Sequence, residues 1–474
     1  MKGFLGIDIG TANSKALLLS EEGTVIYTWS KPTPHVRVSG LDFFDINKIE
    51  KVVEQFISEA RKRCQLKSVS FSSVGESVVP VKNGKAIENP LIWHEDNFAI
   101  DKKIINFIEQ YAGFENTGVN HSKTYAIYKM IWLQEHLLHQ IPDFWLPISS
   151  YFIYRKTGCA IWDTSQAGRS YVYNIHQRKW IEDITGELIP AKLGDIGMIG
   201  TCCGYYDGII YGLGGHDHYV GLYGIYELHG NTEIFYDSMG SSSVLAMVKK
   251  DPHKKLGGRN TYNPKGGSLV TGFNKQEYIV NRSFDYYGRV ISCLINIRGD
   301  CADNAYYNNL NIKIGKNIKN MRPCLITCKN DFNRASDKIK SINFLHVSEK
   351  ASFEEMVLGG YYYLALCTQH MFNDLLKFCS DTKQTMFYFA GGGIVNNDLF
   401  MKLKATVLGR EVMTPKVSEI SALGAAISAV KAAGYEDILP YAKNNLLDGN
   451  KIYPDRQYEP LGKEMMQQYE EINK

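Results

Sequence analysis

The chain has 474 residues, 44% of them hydrophobic and 22% charged, an ordinary globular composition with room for two or three domains. Its 53 Lys and Arg nearly balance 50 Asp and Glu, and a net charge of +3 gives no field that would argue for nucleic acid or a membrane surface as partner. A small polar substrate is the better expectation. No apolar run reaches the ~18 residues of a membrane helix, and ten cysteines without paired C-x-x-C modules read as reduced thiols of a cytoplasmic protein.

In chain order, Phe4 to Leu19 reads as a strand, a tight polar turn and a second strand. Gly10, Thr11, Asn13 and Ser14 can offer backbone N–H groups to an anion, with Lys15 as a point charge and Asp8 as a magnesium-side carboxylate. The stretch is no P-loop and no G-x-G-x-x-G turn, so the cradle would be a hairpin. Thr24 to Trp29 adds a third strand. Ile46, Ile49, Val52, Val53, Phe56, Ile57, Ala60 and Cys64 then recur at helical spacing before a strand from Val69 to Val74, giving β-β-β-α-β. Glu76 lies just past that strand, where ligands of open α/β sheets gather. The run from Tyr125 to Leu138 has helical spacing, whereas Asp163 to Ser170 carries no assignable chemistry.

At Ile209 to His218 an apolar strand runs into Gly214-Gly-His-Asp217-His. The glycines would let backbone and ligand approach closely, and Asp217, flanked by two histidines, is the expected general base. Thr232 to Val248 then repeats the opening hairpin, with Gly240 and Ser241 in its turn, which suggests two duplicated domains clasping a nucleotide. The boundary is expected at 226/227, giving domains 1–226 and 227–474. Lys249 to Arg259 reads as a solvated basic loop, and 311–343, rich in Lys and Asn, as an irregular insertion. Met386 to Ala390 is a buried-type strand ending in Gly391-Gly392-Gly393, where a nucleotide base and ribose could lie on bare backbone with Asn396 as hydrogen-bond partner. Ser418 to Val430 is a small-residue helix that can pack closely on a sheet.

Asp8-Ile-Gly-Thr, Gly214-Gly-His-Asp217-His, Asp237-Ser-Met-Gly-Ser and Gly391-Gly-Gly-Ile-Val-Asn396, in this order and at these separations, make the chain resemble the FGGY carbohydrate kinases from Gly6 to about Gly434. Lys129-Met-Ile-Trp132-Leu with Glu135 looks like part of that family's N-terminal signature. The resemblance implies an α/β fold of two duplicated actin-like ATPase (ribonuclease H-like) domains around a deep cleft, with ATP and Mg²⁺. It implies Asp217 as base, Asp8 and Asp217 on the metal, and Gly10 to Lys15 with Gly240 and Ser241 on the phosphates. Gly391, Gly392 and Asn396 would touch the adenosine, and Glu76, Trp93 and His218 a sugar or polyol.

The chain departs from that pattern in places. Leu358-Gly359-Gly360 stands where the family's C-terminal signature ends in Glu-Gly, Trp93-His-Glu-Asp96-Asn97 replaces a Trp-x-Asp motif, and Thr124 takes the place of an acceptor-contacting aromatic. The expectation is transfer of the ATP γ-phosphoryl group to a sugar or polyol hydroxyl, a ketose such as a pentulose being favoured, with a homodimer compatible. The alternative is a non-catalytic sugar or nucleotide sensor on the same fold, disfavoured because base and phosphate loops are both retained.

Overall fold

The computed structural model describes residues 1–230, 234–240, 242–250, 267–284, 287–300, 304–329, 341–377 and 387–472. Strands β1 (Lys2–Ile9), β2 (Asn13–Ser20) and β3 (Val25–Pro32) form the expected antiparallel meander. Helix α1 (Ile46–Arg63) is capped by Asp45, whose carboxylate accepts from the Lys48 N–H, and it buries the stripe of Ile46, Ile49, Val53, Phe56, Ile57 and Ala60. It delivers the chain to β4 (Gln65–Ser73), parallel to β1. Strands β5 (Cys202–Tyr206) and β6 (Ile209–His216) complete a six-stranded sheet in the order β5-β6-β4-β1-β2-β3. Central β1 is apolar along its length, with Phe4, Leu5, Ile7 and Ile9 all buried, because both faces of the sheet are covered. Helix α2 (Asp217–His229) leaves β6 without an intervening loop, and the expected 226/227 boundary falls inside it.

The second half repeats the plan. Strands β7 (Ile234–Met239), β8 (Ser243–Lys250), β9 (Gly267–Thr271) and β10 (Glu277–Phe284) precede the long helix α3 (Phe353–Leu376). Then come β11 (Phe387–Gly391), α4 (Asp398–Leu408), β12 (Val412–Thr414), α5 (Ile420–Ala432) and β13 (Asn450–Ile452). The seven strands run β9-β10-β8-β7-β11-β12-β13. In each half the first hairpin strand is central, antiparallel to its hairpin mate and parallel to the strand that enters the cleft, β4 or β11.

The halves are joined by α5 and α2. Although α5 comes late in the chain, it lies on the first sheet, where Ser68 Oγ donates to the Ala429 carbonyl at 2.7 Å and Ser70 Oγ meets Ser428 Oγ at 3.0 Å. The small residues that mark α5 in the sequence allow this approach. Where α2 crosses α5, a Cβ on Gly224 would stand 2.7 Å from the Cα of Gly424.

One expectation fails. The described part of 311–343 is regular rather than irregular: a helix covers Asn304–Asn317, a 3-10 turn Ile318–Asn320, and strands Leu325–Lys329 and Ser341–Leu345 pair antiparallel. Leu310, Ile314 and Ile318 are buried at four-residue spacing, a narrow stripe that polar neighbours outnumber. Residues 330–340, and the basic loop from 251 to 259, lie outside the described residues.

Candidate active site

The ends of β1, β4, β6, β7 and β11 surround one cleft of about 370 Å³ between the two sheets. From the sequence-derived set it brings together Asp8, Gly10, Thr11, Asn13, Lys15, Glu76, Trp93, Asp217, His218, Gly240, Gly392 and Asn396. Ser241 lies outside the described residues. Ser14 and Gly391 are not in the cleft wall. Ser14 is fully buried, its hydroxyl 3.0 Å from that of Thr33, and a Cβ on Gly391 would meet Ile420 and Tyr236, so both serve packing.

Asp217 is the first residue of α2, where the helix dipole favours a negative charge. Its Oδ1 accepts from the His218 backbone N–H at 2.7 Å and lies 2.8 Å from His216 Nδ1. Burial would push this carboxyl up, but His218 and His216 beside it hold it well below the usual carboxylate range. Asp8 behaves oppositely. Burial first, and the Asp217 charge second, push it up to about 7, against the Ser72 hydroxyl, which donates to it at 2.7 Å, and Lys15. Glycines 214 and 215 act on the protein rather than on a ligand. A Cβ at Gly214 would fall 1.9 Å from the Phe71 carbonyl, and one at Gly215 2.5 Å from Asp163, the buried N-cap of the turn Thr164–Ala167.

Three predicted residues are already engaged. The Gly10 N–H closes its own turn on the Asn13 carbonyl at 3.2 Å. Lys15 pairs with Glu419 of the other half at 2.5 Å. His218 reaches across the cleft, its Nδ1 2.8 Å from Ser238 Oγ and its Nε2 3.5 Å from Ser242 Oγ, so it faces the second hairpin. Burial lowers the His218 pKa against the pull of Asp217. The Trp93 indole N–H donates to Thr11 Oγ1 at 2.8 Å, linking the Trp93 loop to the first hairpin.

Sequence reasoning missed Arg169, which pairs with Glu76 in the cleft, its Nε donating to Glu76 Oε1 at 2.6 Å. It also missed Asn281, Ser283 and Glu419 in the wall. Only Asp163, a capping residue before a small-residue turn, could have marked the Arg169 loop as ordered.

A family profile for the FGGY family of carbohydrate kinases matches with its N-terminal domain at residues 4–191 and its C-terminal domain at residues 236–433. The chain belongs to the FGGY family of carbohydrate kinases. It is 24% identical to a glycerol kinase of Petrotoga mobilis over 498 residues, covering 96% of this chain and 95% of the relative. Among solved structures, a ligand-bound xylulose kinase from Lactobacillus acidophilus superposes with a TM-score of 0.81 at 18% identity, covering 100% of this chain and 98% of that one. Plasmodium falciparum glycerol kinase with ADP gives 0.77 at 15% identity, with 100% and 98% covered. The two-domain kinase fold is thereby shown, and with it the enzyme class, phosphoryl transfer to a carbohydrate.

The signature-like lysine of this FGGY chain is a positioning group. Lys129 is fully buried and donates to the carbonyls of Ile92 and Trp93 at 2.8 and 2.6 Å, fixing the loop that carries Trp93. Burial pulls it down to about 7 despite Glu76, Glu95 and Asp96. Among the described residues no helix is long and apolar enough to cross a membrane, and no group of three or more His, Cys, Asp or Glu is arranged to hold a metal.

Proposed function

We propose that this chain transfers the γ-phosphoryl group of ATP to a hydroxyl of a sugar or polyol, a ketose such as a pentulose being the favoured acceptor, with Asp217 as general base. The observation that carries the reading is the position of Asp217. It lies in one cleft with Glu76, Trp93, Thr124 and Arg169, which would be the acceptor side, and with residues of both hairpin turns, Thr11 to Asn13 and Ser238, Met239, Gly240 and Ser242, which would be the phosphate side. The ADP in the glycerol kinase neighbour supports the nucleotide half, and Gly392 and Asn396 in the wall supply bare backbone and an amide for adenosine.

The chemistry follows from the contacts. The His218 N–H donates to Oδ1 of Asp217, with His216 Nδ1 2.8 Å from the same oxygen, and no described residue bonds Oδ2, which is the oxygen available to an acceptor hydroxyl. An ionised carboxylate there orients the hydroxyl and takes its proton late, as suits a loose phosphoryl-transfer transition state. Glu76 and Arg169 neutralise one another, which favours a neutral acceptor. Lys15 would exchange Glu419 for a phosphate oxygen, loosening one tie between the halves and making another through the nucleotide. Closure of the halves would exclude water as competing acceptor.

Asp8 and Asp217 fit magnesium, which commonly takes one or two carboxylates, several waters and substrate phosphates. Asp8 is buried beside a second carboxylate, the setting a cation would relieve. When bound, the ion supplies charge neutralisation at the phosphates. The test is ADP release with a panel of ketoses, aldoses, polyols and sugar acids. Release that depends on one acceptor class is expected, and no acceptor-dependent release across the panel would overturn the reading.

A further inference from the structure

We infer that Arg169 is a specificity-determining residue: its guanidinium holds Glu76 with one edge and offers Nη1 to an oxygen of the bound acceptor. The inference rests on the kinase reading for what the acceptor is, though not for the geometry. Nε and Nη2 of Arg169 both donate to the same oxygen, Glu76 Oε1. The guanidinium lies 5.0 Å over the Tyr125 ring, which fixes its plane. Among the described residues nothing accepts from Nη1, while the side chain is only 9% exposed and lines the cleft beside Asp217. A buried cation that lines a polar cavity, with two of its N–H groups spent and others unspent, is suited to read acceptor oxygens.

Two further features fit that role. Glu76 sits at φ +57, a left-handed conformation uncommon for a residue with a side chain, and Arg169 braces it there. Residue 75 is a glycine, and a Cβ on it would stand 2.5 Å from the His216 ring and 3.4 Å from Arg169 Cγ. A side chain at 75 would therefore collide with the His216 ring, while the Arg169 stem passes at contact distance. Glu76 then accepts from acceptor hydroxyls and Nη1 donates to a neighbouring oxygen, so the pair reads two adjacent positions of the carbon chain.

The competing view makes Arg169 a counter-charge for Glu76 and nothing more. The test separates them with Arg169→Lys, which keeps the charge and loses the fork. Wild type is titrated by tryptophan fluorescence with D-xylulose, glycerol and gluconate, and the tightest probe is carried forward with its single-deoxy analogues. In wild type one analogue should bind about 10- to 100-fold more weakly than its parent, the value of a hydrogen bond to a charged group. In Arg169→Lys the parent should fall to the affinity of that analogue, while the analogue itself is unchanged. The double variant Arg169→Met with Glu76→Met leaves no buried charge unpaired and must also lose the difference between parent and analogue, which covers the case of a Lys variant that does not fold. Full parental affinity in Arg169→Lys, equal weakening of every analogue, or no binding of any probe by wild type would each overturn the inference. Binding in the expected pattern without ADP release would instead sink the kinase reading and leave this one standing.

Discussion

The two hairpins that face each other across the cleft both turn on a glycine whose N–H closes the loop, but the first turn has four residues between its last strand pair and the second has three, and a carboxylate in one is matched by a hydroxyl in the other. In the first, Ile9 pairs with Ser14 and the Gly10 N–H closes on Asn13; in the second, Met239 pairs with Ser243 and the Gly240 N–H closes on Ser242 at 2.8 Å. This register sets Ser238 against Asp8, and both line the cleft. Asp237, the acid that the eye first matches to Asp8, is one residue out of step and points away from the cleft. It is fully buried, accepting from Ser243, Tyr388 and the ammonium of Lys404. Duplication has therefore kept the cradle and divided the labour. On the proposed reading, the carboxylate of Asp8 is on the side that would hold a cation, and the hydroxyl of Ser238 leaves phosphate oxygens unrepelled in the other hairpin.

The largest expected effect comes from removing the group that lies between the hairpins. Asp217→Asn should cut kcat by about 10²- to 10⁴-fold, the range for a positioned general base, while ADP binding by calorimetry persists. Turnover within threefold of wild type would remove Asp217 from the role of base. The comparison itself is broken by Ser238→Asp, which gives the second hairpin the side chain of the first. Two anions brought together in a buried site cost several kcal/mol, so KM for ATP should rise about 10- to 100-fold, with acceptor affinity by fluorescence unchanged. An unaltered KM for ATP would show that the second hairpin does not face the phosphates.

Next in size is Gly392→Ala. Gly392 has φ +102, and a Cβ there would fall 1.9 Å from the Met239 carbonyl, so the glycine turn is seated directly against the second hairpin. The substitution should cost about 1–3 kcal/mol of strain, read as a lower melting temperature and weaker ADP binding together. Loss of stability without any change in ADP affinity would separate the two loops.

Much of this was legible in the sequence because local pattern and tertiary role coincide there. The apolar runs of β1 and β6 end in polar turns, and α1 shows its stripe, so the elements and the cleft residues they carry follow from periodicity and turn chemistry. What was hidden depends on partners far along the chain. Arg169 acquires meaning only beside Glu76, and Lys15 only beside Glu419. The placement of α5 on the first sheet is equally non-local, since its alanines and glycines say that something packs closely without saying which sheet. The Asn304–Asn317 helix escaped because its buried stripe is so narrow that composition outweighed period.

The smallest effect concerns the carboxylate that makes the hairpins differ. Asp8 is pushed up to about 7 in the folded chain, whereas an ordinary aspartate ionises near 4 once unfolded. A carboxyl with a raised folded pKa binds its proton more tightly in the native state, so its contribution to stability is complete below about pH 4 and is lost as pH rises towards about 7. The metal-free wild type should therefore lose ground to Asp8→Asn across that window, the melting-temperature difference growing by a few degrees and levelling off above neutrality. Ser238→Ala, at the matching place in the other hairpin, removes no ionisable group and should not reproduce the growing difference of Asp8→Asn, any pH dependence it has coming through His218, whose Nδ1 lies 2.8 Å from Ser238 Oγ. A difference between wild type and Asp8→Asn that is flat from pH 4 to 7 would mean that Asp8 is ionised throughout, and that the two hairpins differ in charge without differing in proton affinity.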